Sequence, residues 1–332
     1  MRAVWYDQQG PAGEVLQVGE LPDPEPGAGE VRVRLTFSGI SPGDTKKRRG
    51  WLGSSMPYPR VIPHSDGAGV IDAVGAGVDP ARVGERVWTY NAQSYRPFGT
   101  AAELTVVPAD TAVALPDGVG DELGACLGIP GVTAHRAVFA DGSVRGRVVL
   151  VHGALGAVSS LAAQLAVRDG ATVVSTVRRT SDLASLPDRL RGRAVALDGS
   201  DPAAAIRVHA PDGVDRVVEV AFSDNVDLDA AVTRNGAVIA AYATRADRPS
   251  FDFWPMLFDN VTIRLLGSDD FSREAKQQAA VDLTAAAAAD DLEIRVGEPF
   301  PLESAAAAHE QVDTDNRRRV LLDLTAAAAR PA

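Results

Sequence analysis

The sequence predicts an α/β protein of two domains, one a β-barrel and the other a doubly wound parallel sheet. Three observations lead to this prediction. The N-terminal third carries short β-branched segments separated by glycine- and proline-rich turns. After about Leu115, short apolar segments alternate with helical patterns, which is typical of a parallel sheet covered on both faces. The length of 332 residues is about twice that of an ordinary domain.

Short strands are expected first along the chain. Val31–Ile40 alternates apolar and polar residues with period two, as a half-buried strand does. Gly67–Val78 is rich in glycine and β-branched residues, which indicates strands with tight bends. Gly84–Tyr90 and Ala102–Ala109 add two more strands. Together these segments favour a closed or partly closed barrel.

Helices and strands alternate in the central part. Asp121–Phe139 has helical spacing and is expected to form helices that break at Pro130. We assign residues 121–269 to the doubly wound domain. The strands expected for its sheet are Arg147–Val151, Ala171–Val177, Ala194–Leu197, Val214–Val220, Gly236–Tyr242 and Val261–Ser268.

The C-terminal part is expected to return to the barrel. Alanine-rich stretches at Thr284–Ala289 and Ser304–His309 predict surface helices, because alanine is the best helix former. Arg317–Leu324 has the pattern of one more strand, and the residues after it are expected to fray. We therefore assign residues 1–120 and 270–332 to one discontinuous barrel domain.

Composition excludes several classes of function. Lys and Arg number 33 against 44 Asp and Glu, and this net charge of −11 disfavours binding to nucleic acid or anionic membranes. Cys126 is the single cysteine, which excludes internal disulfides and zinc sites made of several thiolates. Because neither a signal peptide nor a long apolar run is evident, we expect a cytoplasmic protein.

The strongest chemical signal is VVLVHGALGAVSSLAAQLA, in which an apolar strand, a glycine turn and an amphipathic helix follow one another. Such a turn binds a dinucleotide, because glycine lets the backbone approach the diphosphate and the helix supplies free N–H groups. The alternative is a tight turn of any α/β domain, and Ser159 replaces the usual third glycine. The residues expected to contact the cofactor are Gly153, Leu155, Gly156, Ala157 and Val158.

The next strand indicates which dinucleotide binds. An NAD site usually carries a carboxylate at the end of this strand, but here Arg178 and Arg179 follow it and the first carboxylate is Asp182. Two guanidinium groups suit a 2′-phosphate, so the sequence favours NADPH over NADH. The alternative is a pair of solvated arginines.

These residues and several other stretches resemble the medium-chain dehydrogenase/reductase superfamily, in particular its zinc-free quinone oxidoreductase branch, which includes zeta-crystallin. The resemblance runs over almost the whole chain in family order and implies a GroES-like catalytic barrel plus a Rossmann domain. The stretches that carry it are Gly39–Gly50, Ile62–Gly75, Gly84–Val87, Gly128–Val138, Val149–Val158, Asn260–Ser268 and RRRVLLDL.

The resemblance also implies that no catalytic metal is bound. In the zinc-dependent relatives a Cys, a His and a later Cys hold the ion, and the matching positions here are Ser41, Ser65 and Pro130. His64 is out of register and is expected in a loop that lines the cleft, while Asp66 matches an acidic residue of the family motif.

The implied reaction is hydride transfer from NADPH to a quinone or an α,β-unsaturated carbonyl compound. In the first loop, Ser41 and Lys46 replace the family's Asn and Tyr, whereas Asp44 and Arg48 keep the family character, and we assign these four as catalytic. Lys46 is a candidate proton donor to the carbonyl. The alternative is that this loop is merely a solvated basic segment.

Further contacts are implied by position in the family pattern. Thr133 matches a residue near the nicotinamide amide, and Arg319 matches a basic residue near the cofactor phosphates. Phe222 and Tyr242 follow parallel strands at the edge where ligands bind. The resemblance also implies a homodimer, paired through the last strand of the cofactor domain.

Two other functions stay open at this point. The same hydride addition serves a biosynthetic enoyl or polyketide-type reductase. The substitutions at Ser41, Lys46 and Ser159 also leave room for a protein that binds NADPH without catalysis.

Overall fold

Two structural units make up the chain in the computed structural model, which describes residues 1–314 and 317–325. Unit 1 combines Met1–Pro130 with the segment from Ile294 onward, and unit 2 is Gly131–Glu293. The boundaries predicted at 120 and 270 therefore differ from the observed ones. The second difference arises because the helix over Arg273–Ala288 belongs to unit 2, where Asp282 bonds to His135 and Leu283 packs on Gly131.

The first segment of unit 1 is mostly strand. In β3, Val31, Val33 and Leu35 are buried, which confirms the period of two in the first half of the strand, whereas residues 38–40 are all buried. This strand pairs antiparallel with both β4 and β6, and β4 pairs with β5. The strands are β1 (Arg2–Trp5), β2 (Gln17–Glu20), β3 (Glu30–Ile40), β4 (Asp66–Val74), β5 (Arg86–Thr89), β6 (Leu104–Pro108) and β7 (Ala112–Ala114). The α-helices are α1 (Ala12–Val15), α2 (Pro42–Arg49) and α3 (Asp121–Gly124).

Helix α2 corrects the expectation of a basic loop at this position. Ser41 is its N-cap, Pro42 occupies the first turn, and Gly50 ends the helix with a φ of 68°. Proline at the start and glycine just past the end are the residues that delimit a helix. The segment has few apolar residues, so its helical periodicity is weak in the sequence.

Unit 2 contains the parallel sheet. Its six strands lie in the order β10-β9-β8-β11-β12-β13, and every neighbouring pair is parallel. The predicted break at Pro130 is confirmed by a single π-helical turn over Leu127–Gly131. The helices are α4 (Val132–Phe139), α5 (Ala157–Asp169), α6 (Asp188–Arg191), α7 (Pro202–His209), α8 (Phe222–Val232), α9 (Phe253–Phe258) and α10 (Arg273–Ala288). The strands are β8 (Val148–Val151), β9 (Thr172–Val177), β10 (Ala194–Ala196), β11 (Val214–Glu219), β12 (Thr233–Ala241) and β13 (Thr262–Leu265).

The last segment returns to unit 1, as predicted. It contains β14 (Phe300–Pro301), α11 (Ala305–Asp313) and β15 (Val320–Asp323). Strand β15 pairs antiparallel with β3, and its Val320 and Leu322 join the apolar core of the unit. The predicted tail after Thr325 lies outside the described residues. In the described ranges, no helix is both long enough and apolar enough to cross a bilayer.

Candidate functional site

The glycine turn follows β8 at the point where the strand order reverses. Strand β8 lies between β9 and β11. The chain first adds β9 and β10 on one side of β8 and later adds β11, β12 and β13 on the other side. Gly153 has a φ of 65°, a left-handed conformation that glycine adopts without strain. A Cβ at this position would lie 3.1 Å from a methyl group of Val220. In open α/β sheets, ligands bind at the carboxyl edge beside such a reversal.

The start of α5 is open to an anion. Gly156 is its N-cap, has extended backbone angles and is exposed, and no side chain in the described ranges caps the helix. The first N–H groups of a helix have no partner within it, and they carry the positive end of the helix dipole. Ala157 and Val158 occupy this first turn, while Leu155 is buried against Val177 and Leu186. The turn therefore fits the diphosphate of a dinucleotide.

Three buried ionisable side chains lie directly beneath this turn, and the sequence analysis missed them. His152 precedes Gly153, Glu219 ends β11, and Asp229 comes from α8. We call these three residues the turn cluster. His152 Nε2 lies 2.9 Å from Asp229 Oδ1 and 3.7 Å from Glu219 Oε2. Their donor atoms lie within 4.8 Å of one another, a spacing that could hold a metal ion, but the contact between His152 and Asp229 is a hydrogen bond.

Burial and mutual charge shift the pKa values in the turn cluster. Burial alone lowers the pKa of His152, but the hydrogen bond to Asp229 and the negative charges of Asp229 and Glu219 outweigh it, so the pKa is raised. Burial raises the pKa of Glu219 to about 7, although the His152 charge opposes this. Burial thus favours the neutral form of Glu219, and the two carboxylates favour the charged form of His152.

Arg178 and Arg179 stand at the carboxyl end of β9, next to β8, and both are exposed. The carboxylates of Asp182 and Asp198, near this strand end, accept hydrogen bonds from backbone N–H groups. The Arg179 N–H donates to Asp182 at 3.2 Å, and the Thr180 N–H donates to Asp198 at 3.0 Å. Both arginine residues thus follow β9 at the edge of the sheet where the ribose of a dinucleotide would be bound.

The other predicted contacts in unit 2 occupy separate positions. Ser159 is buried, and its hydroxyl lies 2.8 Å from the Tyr242 hydroxyl, which ties α5 to the end of β12. Phe222 is buried and packs edge-on against Phe251, with ring centroids 6.3 Å apart. Thr133 is buried in the first turn of α4.

A buried ion pair joins three neighbouring strands of unit 1. Asp66 starts β4, Ser41 follows β3, and Arg319 precedes β15. Arg319 donates to Asp66 Oδ2 at 2.5 Å, to the Ser41 hydroxyl at 3.0 Å and to the Ile40 carbonyl at 2.5 Å. Burial raises the pKa of Asp66 to about 6, although Arg319 opposes this rise. The Arg319 guanidinium, which the sequence predicts near the cofactor phosphates, holds these strands together through its contacts with Ile40, Ser41 and Asp66.

The remaining predicted catalytic residues lie on α2 and differ in their surroundings. Asp44 is buried and accepts the Ser41 N–H at 2.7 Å, and burial raises its pKa to about 7. Arg48 is 1% exposed and donates to the Gly10 carbonyl and to Asp313. The interpretation of this segment as a solvated basic loop is therefore wrong, because Asp44 and Arg48 anchor the helix inside unit 1. Lys46 is half-buried, with its ammonium 4.5 Å from the centroid of the Trp51 ring.

His64, expected to line a cleft, is instead fully buried within unit 1. Its Nδ1 lies 2.9 Å from the Ser38 hydroxyl, and its Nε2 lies 2.8 Å from Nε2 of His309. Burial and the neighbouring His309 hold the pKa of His64 well below its usual range, and burial lowers that of His309 to about 3. The two rings are therefore neutral at neutral pH and connect α11 to the strands.

Known proteins resemble this chain in sequence over nearly its full length. Residues 27–117, which include β3 to β7, match the family model for the alcohol dehydrogenase GroES-like domain. The quinone oxidoreductase of Rattus norvegicus is 30% identical over 320 residues, which is 94% of each chain.

Two solved structures share the whole fold. A crystal structure of an NAD-dependent alcohol dehydrogenase has a TM-score of 0.85 and 27% identity, over 97% of this chain and 99% of that one. A mycobacterial protein solved in complex with NADPH has a TM-score of 0.80 and 26% identity, over the same shares. One of these proteins is NAD-dependent and the other binds NADPH, so the fold alone does not select between the two cofactors.

Replacement of Gly128 by Ala should disrupt the buried ion pair. Gly128 has a non-helical ψ of −115°, and a Cβ there would lie 2.2 Å from Asp66 Oδ1. Because Asp66 is enclosed, its carboxylate must shift, and we expect the free energy of unfolding to fall by about 1–3 kcal/mol in urea titrations. Gly118→Ala is the matched control, since no described atom lies within 4 Å of a Cβ at that position. Equal stability of the two variants would show that Asp66 is not held as described.

Proposed function

Because the chain belongs to the quinone oxidoreductase branch of the medium-chain dehydrogenase/reductase superfamily, we propose that it is a zinc-independent, NADPH-dependent reductase of quinones or α,β-unsaturated carbonyl compounds. Family membership makes it an oxidoreductase that uses a nicotinamide cofactor and a small-molecule substrate. The observation that carries the proposal is the glycine turn and the open start of α5 directly after β8, where the strand order reverses. This whole-length relationship to enzymes argues against a binding protein without catalysis.

The choice of NADPH rests on the end of β9. Arg178 and Arg179 are exposed there, and their guanidinium groups can pair with a 2′-phosphate. Asp182 and Asp198 are the carboxylates beside this strand end, and both already accept backbone N–H groups. A carboxylate that bonds to the backbone is less available to accept the ribose 2′-hydroxyl that NAD offers.

The residues of the chain supply positioning, and the bound nicotinamide cofactor supplies the hydride. The N–H groups at the start of α5 bind the diphosphate, and the turn at Gly153 allows close approach of the backbone. Thr133, Phe222 and Tyr242 are proposed to support the nicotinamide side of the site. Such positioning is the main contribution when the reacting carbon is already electron-poor.

Independence from zinc is supported by the residues at the family's metal positions. Ser41 and Ser65 offer hydroxyls and Pro130 offers no ligand, whereas zinc prefers thiolate, imidazole and carboxylate groups. The carboxylate that contacts Ser41, that of Asp66, is already paired with Arg319.

Lys46 is the proposed proton donor to the substrate. Of the four residues assigned to catalysis, Asp44 and Arg48 hold α2 in place, and Ser41 bonds to Asp66 and Arg319. Lys46 keeps a half-buried ammonium beside an exposed aromatic ring, Trp51. An ammonium can donate a hydrogen bond or a proton to an oxygen that gains negative charge.

A homodimer is also proposed, through the edge of the parallel sheet. Strand β13 is the last in the sheet order, so one side of its backbone is available for pairing. Beside it, α9 exposes large apolar side chains, with Trp254 65% and Phe258 71% accessible, and Leu265 of β13 is 75% accessible. A group of neighbouring exposed apolar side chains is typical of an interaction surface, whereas single exposed apolar residues are not.

Purified protein should oxidise NADPH in the presence of a quinone or an enone. We expect turnover with naphthoquinone or a simple vinyl ketone, measured by the absorbance of the reduced nicotinamide, and none with a saturated ketone. Turnover should be unchanged after treatment with a strong zinc chelator. Turnover of enones but not quinones would favour the biosynthetic enoyl reductase, and activity that is lost on chelation and restored by zinc would refute zinc independence.

The same assay tests Lys46 against its neighbour. Lys46→Met should lower kcat and leave the cofactor Kd unchanged, because it removes the donor and not the dinucleotide site. Lys47→Met is the control, since Lys47 contacts Gln93 at 3.3 Å and is not proposed as a donor. Equal kcat values for the two variants would remove Lys46 from the mechanism.

Substitution of both Arg178 and Arg179 by Ala should weaken NADPH much more than NADH. Each lost charge-assisted contact is expected to cost about 1–3 kcal/mol of binding free energy, measured by fluorescence titration. Arg193→Ala is the control, because Arg193 is exposed and precedes β10, with its backbone beside Ser175 within β9 and not at the carboxyl end of β9. An equal loss for both cofactors would show that these arginines do not read the 2′-phosphate.

The variant with Trp254→Ser and Phe258→Ser should sediment as a monomer at concentrations where the unchanged protein is a dimer. Both substitutions remove apolar surface beside β13. Val208→Ser, which changes an exposed apolar residue on α7, should leave the dimer intact. A monomeric unchanged protein in analytical ultracentrifugation would contradict the proposal directly.

A further inference from the structure

We propose that the turn cluster of His152, Glu219 and Asp229 fixes the dinucleotide turn and makes the affinity for the nicotinamide cofactor fall as pH rises through neutrality. These residues do not touch the reacting atoms and are positioning residues. The inference rests on the proposed role of the turn after β8, and it adds a proton-dependent control of that site.

The first part of the inference comes from how His152 is held. Its backbone N–H donates to the Val218 carbonyl at 3.1 Å, and its Nδ1 lies 2.9 Å from the Thr176 hydroxyl. The same hydroxyl accepts the Gly153 N–H at 3.3 Å. The imidazole therefore orients the group that holds the first residue of the turn. Through Asp229, it also connects β8 and β9 to α8.

Glu219 lies next to His152 because β8 and β11 are neighbours, with Val151 opposite Val218. Its carboxylate accepts the Asn225 side-chain amide at 3.1 Å and also accepts the Ala221 N–H. Val220, the next residue, is the one that approaches Gly153. The charge of Glu219 therefore sits at the same strand junction as the diphosphate-binding turn.

The groups that face the cluster come from each element packed on it. Thr176 faces it from β9, Asn225 and Asp229 from α8, and Tyr242 from the end of β12. Burial raises the pKa of the Tyr242 phenol, so this group stays neutral near pH 7. Asp229 Oδ2 is buried and has no hydrogen-bond partner among the described residues, so His152 is the group that compensates its charge.

The sign of the pH effect is set by the charge of the cluster. With His152 protonated and one carboxyl neutral, the cluster has no net charge, and loss of a proton makes it negative. A negative charge in a buried site beneath the turn repels the diphosphate and opposes the helix dipole. Since the pKa of Glu219 is raised to about 7, this proton is lost over the neutral range. By linkage, cofactor binding favours the protonated cluster, and Kd rises with pH.

Glu219→Gln tests the inference, because glutamine keeps an acceptor for the Ala221 N–H but cannot ionise. We would measure Kd for NADPH and for NADH by fluorescence titration between about pH 6 and 8.5. In the unchanged protein, Kd should rise by about threefold to tenfold over this range, as expected for partial linkage to one proton. In Glu219→Gln, the rise should be much smaller, and the variant should bind more tightly than the unchanged protein at the alkaline end.

Asp282→Asn is the matched control, since Asp282 forms another His–carboxylate pair of unit 2, with His135 at 2.8 Å, away from the turn. It should keep the pH dependence of the unchanged protein. His152→Gln is a second variant that should bind both cofactors more weakly at every pH while it also loses the pH dependence. A variant that only loosened the fold would change Kd without changing its slope with pH.

The outcomes separate this inference from the proposed function. Equal slopes in the unchanged protein and in Glu219→Gln would overturn the inference and leave cofactor binding intact. Because NADH lacks the 2′-phosphate, a slope difference present with both cofactors cannot arise from titration of that phosphate or from Arg178 and Arg179. Failure of the unchanged protein to bind either cofactor would overturn the proposed function and the inference together.

Discussion

The reversal of strand order between β8 and β11 is the constraint on which unit 2 depends. Because the connections that follow these two parallel strands lead to opposite sides, β8 to β9 and β11 to β12, a crevice opens at their carboxyl ends. Glycine turns the chain at Gly153 without strain, and the start of α5 then points its N–H groups into the crevice. The arginines after β9, the hydroxyl pair of Ser159 and Tyr242, and the turn cluster are all arranged around this one junction.

Unit 1 depends instead on a buried charge pair. Arg319 donates a hydrogen bond to Asp66 at 2.5 Å, and both side chains are buried. Such a pair stabilises a fold only while both partners are present. Loss of one partner from a buried pair typically costs about 3–5 kcal/mol, because the other charge is left without compensation. The Ser41 hydroxyl accepts a hydrogen bond from Arg319, and the Ile129 N–H donates one to Asp66. Ser41 thus lies between the two charged groups and contacts both of them.

Local patterns in the sequence are sufficient to predict the strands, the glycine turn and the return of the last strand to unit 1. Period-two alternation in β3 and the glycines after β8 are visible within a dozen residues, and the structure agrees with both. Helix α2 was missed because its sequence is nearly all polar, and its order comes from Arg48 and Asp44 contacts inside the unit. Asp229 lies 77 residues from His152 and His309 lies 245 residues from His64, so no local pattern could have identified these two pairs. The sequence does not locate the boundary after β13, since α10 shows no local sign of which unit it packs on.

The separation of Asp66 from Arg319 by 253 residues has a consequence for biosynthesis. Unit 2 is one uninterrupted stretch, so it can fold while the ribosome is still translating the C-terminal segment of unit 1. Residues Phe37–Ile40 of β3, in contrast, lack their partner strand on one edge until β15 emerges, whereas Glu30–Arg34 already pair with β6. Unit 1 therefore stays incomplete until the C-terminal segment has been translated.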